Sequence, residues 1–106
     1  MITIRIERDK NQAVKGFCAE GHANTAPHGQ DIVCAGVSTL IQASVFGLER
    51  HLKRAITLQQ ADASFAVRLA DAPDDQTQAI LETMILGLTE IAKLNPKSVR
   101  ILESRR

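Results

Sequence analysis

A chain of 106 residues, 44% hydrophobic and 24% charged, has the size and make-up of one globular domain, 1–106, with a core of its own. Net charge is +1, the aromatics are three Phe, and the only dense basic spots are Lys53-Arg54 and Arg105-Arg106. That disfavours nucleic-acid binding, which uses a clustered basic surface and aromatic stacking platforms. No uninterrupted apolar stretch is long enough to cross a bilayer, and the alternating opening Met1-Ile2-Thr3-Ile4-Arg5-Ile6 is not a secretory signal. The expectation is a cytoplasmic protein whose two cysteines are free thiols.

In chain order, Ile2, Ile4 and Ile6 alternate with Thr3, Arg5 and Glu7, the period of a half-buried strand. The polar run Asp9-Lys10-Asn11-Gln12 reads as a turn, and a second strand is expected from Val14 to Glu20. Residues 21–30 carry two Gly, a Pro and an Asn and read as a loop, long for so small a chain and therefore of functional interest. Asp31, a favoured N-cap residue, then opens a helix to about Leu52, with Val33, Val37, Leu40, Ile41, Ser44 and Leu48 as its buried stripe. Strands follow near Ala55–Gln60 and Ser64–Leu69. Pro73 suits the first turn of a second helix, and Asp74 and Asp75 suit its positive end. Ile80, Met84, Leu88 and Ile91 form that helix's core face, and Leu81 and Ile85 widen it beyond what one sheet should cover. Asn95-Pro96 ends the helix, and a last strand is expected from Ser98 to Glu103. The fold class is α+β, in the order β-β-α-β-β-α-β, with two helices packed on a small mixed or antiparallel sheet.

The unusual residues fall between Cys18 and Ser38. Cys34 stands three residues into the expected helix, where unpaired N–H groups and the helix dipole favour a thiolate. His22, at the mouth of the loop, is placed to fold back towards that helix start and act as a base. On spacing alone the alternative stays open: an inert buried Cys34 beside a solvent-facing His22.

The words around these residues are more specific. Glu20-Gly21-His22-Ala23 followed by Gly29-Gln30-Asp31-Ile32-Val33-Cys34-Ala35-Gly36-Val37-Ser38 resembles the ribosomal-processing cysteine proteases called Prp, whose hallmark is GHA, a short loop, then G-x-D-I-V-C-A-x-x-S. The resemblance extends over the whole chain. It implies a cysteine endopeptidase with Cys34 as nucleophile and His22 as general base, working through a thioester. The substrate it implies is a short N-terminal extension of the large-subunit ribosomal protein numbered twenty-seven. It also implies a homodimer, a mobile loop over the site, a cut after bulky apolar residues and no cofactor. Asp31 and Ser38 fall on fixed motif positions. Asp31 either orients His22 or caps the helix, and Ser38 either bonds near the sulfur or permits close packing. Gly21 and Gly29 are either hinges of the closing loop or ordinary turn glycines. Helix-start N–H groups, that of Cys34 included, are the expected oxyanion donors. The substrate must be an extended peptide, because a domain of this size cannot enclose a folded protein.

Two rivals stand beside this reading. Cys18, His22, His28 and Cys34 are all zinc-ligand types, but C-x3-H-x5-H-x5-C lacks the tight pairs of ordinary zinc modules, so no metal is expected. A non-catalytic ribosome-associated or RNA-binding α+β module is the other, disfavoured by the near-neutral charge. The wide face made by Leu81 and Ile85 independently suggests a homodimer.

Overall fold

The structure, a computed structural model, describes residues 1–21 and 28–105, the side chains of 28–31 and 105 excepted. Strands β1 (Ile2–Arg8) and β2 (Val14–Glu20) are followed by helix α1 (His28–Phe46), which runs on into a π turn at Gly47–His51. Strands β3 (Ile56–Ala61) and β4 (Ser64–Leu69), helix α2 (Asp75–Leu94) and strand β5 (Val99–Arg105) complete the chain. The expected β-β-α-β-β-α-β order is observed. The sheet order is β3-β4-β2-β1-β5, with β1 and β5 parallel and every other pair antiparallel.

Alternation decides which face each residue takes. Ile4 is registered with Ala19 and Ile101, Phe17 with Val67, and Val67 with Leu58, so these residues share one face, the face both helices cover. Arg5, Cys18, Ala66 and Arg68 share the other. The core joins Ile2, Ile4, Ile6 and Phe17 to Val33, Val37, Ile41, Val45 and Leu48 of the α1 segment and to Leu81, Met84, Ile85 and Leu88 of α2. By length and composition the stretch Ile32–His51, with a mean hydropathy of 1.6, is apolar enough to cross a membrane, unlike the uninterrupted runs. Val33, Val37, Ile41, Val45 and Leu48 of this stretch are buried in the core, whereas Ile32 and Phe46 are exposed.

Three expectations need correction. First, α1 begins at His28, so Asp31 lies in its first turn and not at its N-cap, and Gly29 is a helical residue, not a loop hinge. Second, Pro73 precedes the N-cap of α2, which is Asp74. The Asp74 carboxylate accepts from the Thr77 N–H at 2.9 Å while the Asp74 N–H donates to the Thr77 hydroxyl at 3.0 Å, a reciprocal cap that Arg54 reinforces by pairing with Asp74. Third, Leu81 and Ile85 are only 1% and 6% exposed, so the surplus apolar face is core and gives no argument for a dimer. The reason is a second neighbour: α2 packs on α1 as well as on the sheet. Glycines let the helices approach, since a Cβ at Gly87 would stand 2.9 Å from Leu40 and one at Gly47 3.1 Å from Ile80.

Two polar ties fasten α2 to the sheet. At the irregularity in β1–β2 pairing, Val14 donates to Gln78 Oε1 at 2.7 Å and Gln78 Nε2 donates to the Val14 carbonyl at 2.9 Å. Val14 is fully buried, so Gln78→Leu strands two main-chain groups. The expected cost is about 2–3 kcal/mol, read as a lower urea midpoint with unchanged m-value. The second tie is Arg8, which donates to both Glu82 oxygens at 2.7 and 3.0 Å and to Glu103 at 3.2 Å. Its hydrogen bonds hold the Glu82 carboxyl below its ordinary value of 4.5. A carboxyl depressed by folding contributes stability that is present at neutral pH and lost as pH falls below 4.5. Acid unfolding of Arg8→Met should therefore lose part of its pH dependence in that range.

Candidate active site

Cys34 is the seventh residue of α1 and is half-buried in the wall of a groove of about 390 Å³. From α1 the groove is lined by Cys34, Val37, Ser38, Ile41 and Gln42; from the sheet, by Ile2, Ala19 and Gly21. The β3–β4 hairpin closes the opposite side with Gln60, Ala61, Ala63, Ser64 and Phe65. The lining mixes apolar floor and polar rim, the character expected of a site for an extended peptide.

The helical register orders one wall. Cys34, Ser38 and Gln42 recur at four-residue spacing, so they follow one another along the helix with about 6 Å of rise per step. Ser38 is exposed to the groove, which removes the reading in which its small size serves close packing. Because α1 starts at His28, the Cys34 N–H falls inside the helix's own hydrogen-bond ladder and is no free oxyanion donor. The dipole effect also fades beyond the first turn, so it gives the thiol at this position little activation.

Gly21 meets Cys34 on the same groove. It lines the groove at the end of β2, adopts φ +91° and donates to the Ala63 carbonyl at 2.8 Å. His22 is the next residue; it and the loop to residue 27 lie outside the described residues. Gly21 is thus pinned to the β3–β4 hairpin, and the loop for which it is the expected hinge lies outside the described residues.

The second thiol is on the opposite side of the sheet. Cys18 shares the outer face with Arg5, Ala66 and Arg68 and bonds Glu20 Oε1 at 3.4 Å. It therefore cannot join Cys34 around one metal ion. Burial, then the bond to Glu20, pushes the Cys18 thiol up from its ordinary value. Limiting iodoacetamide at neutral pH should label Cys34 at least about tenfold faster than Cys18. Peptide mapping reads the ratio, and preferential labelling of Cys18 would contradict the assignment of the reactive thiol.

Sequence reasoning found Cys34 and missed the groove's other wall. Gln42 carried a signal, since it continues the four-residue spacing of Cys34 and Ser38. Gln60 and Phe65 carried none, because only the tertiary fold brings the hairpin over α1.

A thiol set in a groove sized for an extended chain, on a small α+β scaffold, is the arrangement of a cysteine peptidase. The chain belongs to the Prp family of cysteine proteases: the sequence model of that family, Cysteine protease Prp, matches residues 1–100. The ribosomal processing cysteine protease Prp of Staphylococcus aureus is 32% identical over 104 residues, covering 95% of this chain and 97% of the relative. The crystal structure of S. aureus Prp with a covalently linked product peptide matches with a TM-score of 0.90 at 29% identity, covering 98% of this chain and 100% of that one. The same protease with a substrate peptide matches at 0.89 and 28% identity over 98% and 100% of the two chains. The fold class is that of these proteins, and the chain is a cysteine protease. Membership displaces the non-catalytic alternative.

Proposed function

We propose that this protease processes a ribosomal protein, removing a short N-terminal extension from the large-subunit protein numbered twenty-seven in the cytoplasm, with Cys34 as nucleophile and His22 as base. The observation that carries it is the meeting of Cys34 and Gly21 on one groove, Gly21 being the residue that precedes His22 in the chain. Relatives crystallised with a substrate peptide and with a covalently linked product peptide support a peptide in that groove.

In this mechanism His22 takes the Cys34 proton as Sγ attacks the scissile carbonyl carbon, and a tetrahedral oxyanion forms. Collapse breaks the C–N bond, the leaving amine takes the proton from His22, and a thioester remains. Water, deprotonated by His22, attacks the thioester and releases the carboxylic acid and the thiol. Asp31, three residues before Cys34 in α1, takes the role of orienting His22 in this reading. Ser38, one turn beyond Cys34 on α1, lines the same groove. The working unit is a homodimer, a reading that rests on the family resemblance.

The test is to mix the protein with the host's ribosomal protein bearing its full N-terminus and follow product masses. One cut near the N-terminus, at a bulky apolar residue, is expected. No cut by the folded protein with a free Cys34 thiol would sink the substrate assignment, and sedimentation as a monomer at micromolar concentration would sink the dimer.

A further inference from the structure

Two carboxamides of the groove, those of Gln42 and Gln60, have no part in the chemistry proposed at Cys34. Gln42 stands two helical turns beyond the thiol, about 12 Å along α1, and both it and Gln60 are exposed on the groove's walls. Gln60 comes from β3, an edge strand of the sheet, and is registered with Phe65 on the inner face. Two carboxamides thus line one groove from opposite elements. Each carries two N–H donors and an acceptor oxygen, the complement of a peptide group's C=O and N–H. Neither bears a charge that would select a charged side chain.

We propose that Gln42 and Gln60 form a main-chain clamp that binds the substrate three to four residues away from the scissile bond. The span follows from geometry: an extended chain advances about 3.3 Å per residue, so 12 Å of helix corresponds to about 3.6 residues. Between clamp and thiol the floor is apolar, with Val37, Ile41 and Phe65, and takes the intervening side chains. The clamp therefore recognises extended backbone and sets a minimum substrate length, while the floor selects side chains. This rests on the groove being the peptide site proposed above.

The experiment uses a peptide spanning the cleavage site with six residues on each side, and two truncations that leave two residues on one side or the other. Gln42→Met and Gln60→Met keep side-chain bulk and remove the hydrogen bonds. The full peptide should show a KM raised about fivefold to tenfold by each change, with kcat and Tm unchanged. One truncation should raise the wild-type KM by a similar factor and erase the difference between wild type and variants, which also tells which side the clamp holds. Unchanged KM in both variants, or an equal penalty on all three peptides, overturns the clamp. Failure of the wild type to cut any of the three overturns the groove assignment instead. A shift confined to kcat would mean that the glutamines act on the chemistry, which also overturns the proposal.

Discussion

Cys34→Ala is expected to lower peptide cleavage at least about a thousandfold while leaving the melting temperature nearly unchanged. The two halves of that expectation have separate causes. Among the described groove-lining residues the thiol is the only group able to form a thioester, and none of the others replaces it: Ser38 is a full helical turn away and its hydroxyl is a weak nucleophile without a base. Stability is spared because Cys34 is only half-buried and packs at the margin of the core, so one sulfur atom is lost without opening an enclosed cavity. His22→Ala separates the base from the nucleophile. Its rate at neutral pH should fall by about two to three orders of magnitude and then climb as pH rises, because hydroxide can remove the thiol proton that the imidazole no longer takes. Thioester accumulation on the wild type, detected by mass after acid quench, should be absent in Cys34→Ala. A rate that stays flat with pH in His22→Ala would show that the histidine positions substrate and is not the base.

The parts of the fold that depend on local pattern were legible in the sequence. The Ile2-Ile4-Ile6 alternation, the β2 span and the β4 span match the structure because their period matches one buried face. The parallel pairing of β1 with β5 was not legible, since nothing local in Val99 or Ile101 selects a partner almost a chain length away. The start of α1 was misread because His28-Gly29-Gln30 has loop composition and Asp31 looks like a cap; tertiary packing of α1 against the sheet and α2 outweighs glycine's cost of about 1 kcal/mol in a helix. Leu81 and Ile85 seemed surplus only when α2 was pictured on a sheet alone, whereas α1 covers what the sheet does not. The same limit applies to the site. Cys34 could be read off one motif, whereas the groove takes residues from β2, α1 and the β3–β4 hairpin.

Gly21→Ala is expected to damage both stability and cleavage. Alanine at φ +91° is strained, and its Cβ would stand 2.3 Å from the Met1 carbonyl oxygen, a backbone atom with no rotamer to yield. The strand ends must separate, and the bond from Gly21 to the Ala63 carbonyl stretches with them. A loss of about 2–4 kcal/mol is expected, measurable as a lower denaturant midpoint. Moving Gly21 also moves the groove wall and the anchor of His22, and a misplacement of about 1 Å near reacting groups can cost about a hundredfold in rate. Gly21→Asn tells the two causes apart, because asparagine tolerates positive φ far better than alanine but brings the same Cβ. Both variants should fail alike if the Met1 carbonyl is the obstacle. Recovery by asparagine alone would assign the loss to backbone strain, leaving the groove wall where it is. Equal activity in all three proteins would mean that His22 reaches Cys34 without help from this pinned glycine.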